Sequence, residues 1–379
     1  MRSLELARDT CDRLHPGLVK SLTAIPLPER ERPGSPVIDL FRECGGAGLL
    51  VPAEYGGLGA DALDAVRVTR ALGSCSPSLG AAATMHNFTA AMLFALTTRV
   101  GQPTAAQTEL LSRIGPDGLL LASGWAEGRT EQNILNPTLS VTEAEGGFRV
   151  SGSKKPCSLS RSMNLLTASA VLPGGDGGDG LAILLIPADS PGITVHPFWS
   201  SPILAAAQSD EVRLADVLVP DRLVIRATRD DPGRLDDLQT AAFVWFELLV
   251  TSAYVGVAGA LAEPVFDRGR GSVADRSALG TGLESAVALT EGMARAIRDG
   301  LAGDDAVAAV LVTRFAVQRA LAAASALAVE LLGGIAFIGS PDVSYLAAAV
   351  HPLAFHPPSR TSTAQALVDY FAGGPLLLS

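Results

Sequence analysis

Two short stretches of this 379-residue chain carry side chains that could move a proton. In "TAAFVWFELLVTSAYVGVAGALA", residues 240–262, Glu247 is the only charge among 23 residues. A carboxylate in such apolar surroundings has its pKa raised by desolvation, as a proton-abstracting base requires. The same isolation also suits a structural ion pair with an arginine from another helix. In "HPLAFHPPSRTST", residues 351–363, His351 and His356 offer imidazoles that could accept a proton or donate a hydrogen bond. A loop histidine is often simply solvated, so that reading stays open. No carboxylate stands between Asp342 and Asp369. Cys11, Cys44, Cys75 and Cys157 show no CxxC or Cys/His spacing, so no metal site is expected.

The elements that must position these groups are legible in outline. Up to about residue 118, apolar residues follow helical spacing broken by Gly and Pro. From about 119 to 228 the chain changes to short apolar or alternating runs, "LLLASGW", "GFRVSGSKK", "LAILLIPA" and "EVRLADVLV", separated by turn clusters such as "PGGDGGDG". From about 229 it returns to long Ala- and Leu-rich helical stretches. The expected organisation is an N-terminal helical domain (1–118), a middle β domain (119–228) and a C-terminal helical bundle (229–379), an α+β multidomain chain. Residues 240–262 are long enough to span a bilayer. Their flanks are mildly acidic and there are no companion spans, so a helix buried on all sides, and no membrane, is expected. The formal charge of −10, with no Lys/Arg run, argues against a nucleic-acid partner. The N-terminus "MRSLELARDTCDRLHPG" lacks the apolar region of a signal peptide, and a cytoplasmic protein with reduced thiols is expected.

Four segments in order resemble the acyl-CoA dehydrogenase superfamily. "AGLLVPAEYGGLGAD" is similar to the family's "GLLGLxxPEEYGGLGLD" at the end of an early helix. "WAEGRTEQN" and "SGSKKPCSLSRS" resemble "VTEPGAGSD" and "NGxKxWITNGG", and the 24 residues from Glu127 to Ser151 keep the family spacing without a gap. "VRLADVLVP" resembles the "VxFxDVxVP" that closes the β domain, and "VELLGGIAFIGSPDVSYL" resembles "QxxGGxGyxxexPVexL". The resemblance covers nearly the whole chain. It implies a middle β-barrel-like domain, a C-terminal four-helix bundle, and FAD between them in a homodimer or homotetramer, with a heteromer as the variant arrangement.

Carried over position by position, the resemblance implies a flavin contact at Ser158, which falls on the threonine of "WITN". Trp125 could supply the aromatic face that the family's Trp gives, since Pro156 stands in its place, or could be a buried core indole, and Ala126 beside it is a further cofactor-binding candidate. Gly333 and Gly334 keep the family's Gly pair and permit close backbone approach. Ser359 falls on the Thr of "IYEGTS". Other positions depart from the pattern. The "GAGSD" phosphate loop reads Arg129 to Asn133, where only Arg129 offers a phosphate partner. The "RxxFG" motif is missing, with Arg268 and Arg270 in its neighbourhood, and a Gln near FAD becomes Glu330. The catalytic Glu of "IYEGTS" lands on Pro357.

In the isovaleryl-type branch the base lies in "LERLVLAGG", which "FELLVTSAY" resembles; with one residue deleted before Gly256 its Glu falls on Glu247, the candidate base, whereas an ungapped count puts Phe246 there, and His356 and His351 are the alternatives. The expected activity is α,β-dehydrogenation of an acyl thioester, carried on CoA or a carrier protein. Two alternatives stand beside it: a flavin-dependent monooxygenase on the same fold, which dispenses with the dehydrogenase Glu, and a non-catalytic or half-catalytic partner subunit.

Overall fold

The computed structural model describes residues 1–99, 103–128, 137–173, 180–226 and 237–378. Helices come first: α1 (Arg2–Leu14), α2 (Leu18–Thr23), α3 (Leu27–Arg30), α4 (Val37–Glu43), α5 (Ala62–Cys75), α6 (Pro77–Arg99) and α7 (Ala105–Ile114). Local chemistry sets several of their starts. The Asp61 side chain accepts the Asp64 N–H ahead of α5, and Thr104 with Gln107 forms a capping box ahead of α7.

Eight strands follow: β1 (Leu121–Gly124), β2 (Ser140–Ala144), β3 (Gly147–Cys157), β4 (Leu165–Leu172), β5 (Gly180–Pro187), β6 (Ile193–His196), β7 (Asp210–Pro220) and β8 (Val224–Arg226). They form two four-stranded sheets, ordered β1-β4-β5-β8 and β2-β3-β7-β6, and the sheets pack against each other. All pairings are antiparallel except β1 with β4. β4 and β5 are buried on both faces, β4 with Thr167 and Ser169 among its apolar residues, whereas β3 begins with the alternation of a half-exposed strand.

The chain then returns to helices: α8 (Asp237–Asp267), α9 (Val273–Arg298), α10 (Gly303–Leu332), α11 (Gly334–Gly339), α12 (Pro341–Ala349) and α13 (Ala364–Phe371). The apolar segment around Glu247 is the body of α8, which packs against α5, α6, α9 and α10 and has 78% of its most apolar window buried. A helix that is apolar all round needs such a complete coat. Two glycines let α5 and α8 approach closely: a Cβ at Gly73 would strike the Ala253 backbone, and one at Gly256 the Arg70 backbone. The long helices α8, α9 and α10 of the C-terminal segment pack on one another, and α5 and α6 pack along α8 as well.

Charge ties the two helical regions together. Glu291 on α9 receives Arg67 and Arg70 of α5 at 2.9 and 2.7 Å. Although burial opposes ionisation, these bonds hold its carboxyl down to about 2. The coat is incomplete at α10, where an equally apolar window is only 39% buried. Just beyond it, Ile335 and Ile338 of α11 are 87% and 83% exposed.

Candidate functional site

Where α6, α8, the β domain and the loop after α12 meet, they enclose a cavity of about 960 Å³, solvent at its mouth included. Helical periodicity builds two of its walls. Ala81, Met85 and Phe88 recur on one face of α6, and Gln239, Ala242, Phe243 and Phe246 on one face of α8. Phe88 meets Phe246 edge to face at 5.4 Å. The third wall comes from strand ends: Ser123, Trp125 and Ala126 at β1, and Pro156 and Ser158 at the end of β3. Trp199, Leu204 and Ser209 close the β side, and His356 and Pro357 close the other.

Polar groups are few and held in place. The Ser158 and Ser209 hydroxyls share a hydrogen bond of 2.9 Å. Nearby, Leu159, Leu204 and Gln208 all take positive φ, a conformation that costs a non-glycine residue energy and marks a wall set by its surroundings. One support is explicit. The Leu204 N–H donates to the Tyr345 hydroxyl (3.0 Å), which donates in turn to the buried Glu31 carboxylate (2.6 Å). Glu31 also accepts from the Ser76 and Ser78 hydroxyls and the Ser78 N–H, so it is anchored at the α5–α6 junction. Among the described residues, the buried Trp125 indole N–H has no hydrogen-bond partner. A buried donor without a partner is costly, which makes it a natural point of contact for a bound acceptor.

His356 enters the cavity from a loop pinned by two further residues. Its Nε2 lies 3.0 Å from the Tyr254 hydroxyl, and its ring packs edge-on against Phe246. Burial, with Arg314 adding to it, pushes the imidazole down to about 3. His356 is therefore neutral near pH 7, a hydrogen-bonding group with little basicity. Arg314 of α10 fixes the loop itself: Nη2 donates to the carbonyls of Leu353 and His356, and Nη1 donates to both carboxylate oxygens of Glu247, at 2.8 and 2.9 Å.

That arrangement corrects the reading of Glu247 as the proton-abstracting base. Glu247 does not line the cavity, and both its oxygens face Arg314. Burial does push its carboxyl up, to about 7, against the pull of Arg314. The isolation seen in the sequence is that of a buried ion pair, with its partner on another helix.

Of the remaining candidates, Trp125, Ala126, Ser158 and His356 come together in the cavity, and Gly333, Gly334 and Ser359 do not line it. Gly333 serves the backbone: with φ of 82° it links α10 to α11. Ser359 is exposed and bonds locally to Thr361 and Ser362. His351, Arg268, Arg270 and Glu330 are also exposed, and Arg129 to Asn133 lie outside the described residues. Tyr254, Arg314, Tyr345, Glu31 and Ser209 were not singled out from the sequence. Arg314 shares its helical run with Arg319, so composition alone did not mark it out.

Residues 23–103 match the family described as the acyl-CoA dehydrogenase N-terminal domain. Over 376 residues, 99% of this chain and 100% of the relative, the sequence is 70% identical to isobutylamine N-hydroxylase from Streptomyces viridifaciens. Among solved structures, KijD3 in complex with FMN and dTDP-3-amino-2,3,6-trideoxy-4-keto-3-methyl-D-glucose has a TM-score of 0.84 at 21% identity, covering 97% of this chain and 94% of its own. XiaF from Streptomyces sp., in complex with FADH2 and glycerol, has a TM-score of 0.77 at 21% identity, covering 100% and 98%. At these identities the two structures show a shared fold.

Proposed function

The chain belongs to the acyl-CoA dehydrogenase superfamily, in the same family as isobutylamine N-hydroxylase, and we propose that it hydroxylates the nitrogen of a small aliphatic primary amine. It is a flavin-dependent oxidoreductase. The observation that carries the substrate reading is the 70% identity, which runs the full length of both chains. The cavity supports oxygen transfer over α,β-dehydrogenation of an acyl thioester. Removal of an α proton needs a base within hydrogen-bond reach of the substrate. Among the described residues no carboxylate lines the cavity, and its one imidazole is a weak base. Oxidation at a CH–CH bond is therefore replaced as the main reading, and no observation favours a non-catalytic partner subunit.

The residues present fit a flavin ring. Trp125, Phe88 and Phe246 offer apolar faces, the unpartnered Trp125 N–H offers a donor, and the Ser158–Ser209 pair offers hydroxyls at the rim. FAD was the expected form, and the similar structures hold FMN or FADH2. When bound and reduced, a flavin supplies two electrons to dioxygen, so that one oxygen atom goes to the amine nitrogen and the other leaves as water. The protein excludes bulk water with its aromatic walls and presents the neutral His356 as a fixed hydrogen-bonding group beside the amine. Tyr254 and Arg314 position that imidazole.

The test is a coupled reaction with a flavin reductase, NADH, FMN or FAD, and isobutylamine, read by mass spectrometry. N-hydroxyisobutylamine is expected. Bleaching of bound flavin by an acyl-CoA without oxygen, with no hydroxylamine formed from any amine, would restore the dehydrogenase reading.

A further inference from the structure

Building on the amine reading above, we propose that the cavity takes its amine as the free base and rejects the alkylammonium ion, because among the described residues its walls hold no anionic partner for a cation. Among the described residues neither a carboxylate nor a lysine or arginine lines it, and His356 is its one titratable side chain. The pattern is consistent around the walls. Four lining residues have an Asp, Glu or Lys neighbour next in the chain, and each of those neighbours is paired. Glu127, after Ala126, takes Lys154 and Thr138. Lys155, before Pro156, binds Glu211. Asp210, after Ser209, takes Arg161 and the Phe198 N–H. Glu247, after Phe246, faces Arg314.

The α6 wall carries Ala81, Met85 and Phe88 and no charge. On the loop wall, burial and the positive Arg314 both oppose a proton on His356, and burial raises the Tyr254 hydroxyl that faces it. An ammonium ion placed here would lose its hydration and gain no counter-charge, which is heavily unfavourable. A neutral amine keeps a donor and an acceptor that His356 or the serines can meet, and its free lone pair is what an incoming oxygen atom must bond to.

The selection has a kinetic signature. An alkylammonium of the lysine type loses its proton near pH 10.4, so at pH 7.4 about one molecule in a thousand is free base. Apparent affinity falls by that fraction. kcat/KM for isobutylamine should therefore climb close to tenfold per pH unit between pH 7 and 9.

Binding separates this proposal from the activity on which it rests. Trp125 and Trp199 line the cavity, so tryptophan emission from the full chain saturated with oxidised flavin reports its occupancy. At pH 6, isobutanol, neutral and of the same size, should bind at least tenfold more tightly than isobutylamine, which is then almost wholly cationic. Isobutylamine affinity should rise with pH in step with its free-base fraction. An ammonium that binds as well as isobutanol at pH 6, no response to isobutanol, or a flat amine profile from pH 6 to 9 would each overturn the proposal. Absence of hydroxylamine with every amine would instead refute the N-hydroxylase reading, and the comparison of isobutanol with ammonium would still decide this one.

Discussion

Replacing Arg314 with methionine should separate stability from positioning. Its guanidinium is 1% exposed and the Glu247 carboxylate 0%, so neither charge can turn to water when the other is removed. Breaking a buried pair on one side costs about 3–5 kcal/mol, and Arg314→Met also leaves the carbonyls of Leu353 and His356 without their donor. Urea unfolding should place Arg314→Met and Glu247→Met each several kcal/mol below the parent. The double variant should recover much of that loss, since apolar side chains of similar volume replace a buried pair at little cost. Activity should behave differently. The double variant restores packing without returning a donor to the loop, so His356 stays loosely held and kcat/KM should remain about tenfold or more below the parent. Glu247→Gln should lower stability and leave the chemical step largely intact once the folded fraction is counted. Two results would refute the reasoning: single losses that merely add in the double variant, or a fall in kcat of two orders of magnitude or more in a fully folded Glu247→Gln, the mark of a general base.

Trp125→Phe keeps an aromatic face and removes the unpartnered N–H; flavin affinity measured by fluorescence titration should fall by about two- to tenfold, the worth of one hydrogen bond. The buried His86 accepts the Leu121 N–H at Nδ1 and donates from Nε2 to the Ala47 carbonyl, so it is built for the neutral ring. Burial pushes it down to about 4, below the 6.5 of an unfolded histidine, so the unfolded chain binds the extra proton between those values. Its contribution to stability, on the order of 3 kcal/mol, is complete above pH 6.5 and drains away toward pH 4, and His86→Gln should flatten urea midpoints measured across that range. The half-covered α10 and the exposed Ile335 and Ile338 should bury themselves against a second copy of the chain. Light scattering should then show a dimer or tetramer that Ile335→Glu with Ile338→Glu breaks to monomers.

What the sequence made legible follows the range over which each feature is encoded. Helix starts, alternating strands and the long apolar stretch of α8 are local patterns, and the ungapped spacing from Glu127 to Ser151 set the β domain in register, so Trp125, Ala126 and Ser158 could be placed at one site. Glu247 shows the opposite case. "The only charge in 23 residues" describes one helix, while the carboxylate's role is decided by Arg314, 67 positions away on α10. A buried base and a buried ion pair leave the same local trace, because desolvation isolates both from neighbouring charge in the chain. The loop at His356 was ambiguous for a related reason. Its place in the cavity depends on Tyr254 and Arg314, which meet it across 102 and 42 positions. The missing carboxylate in "HPLAFHPPSRTST" was the stronger signal, because an absence within a short segment needs no tertiary partner to be read. It agrees with the cavity walls, where among the described residues no carboxylate stands and the charged neighbours in the chain are each turned to a partner of their own.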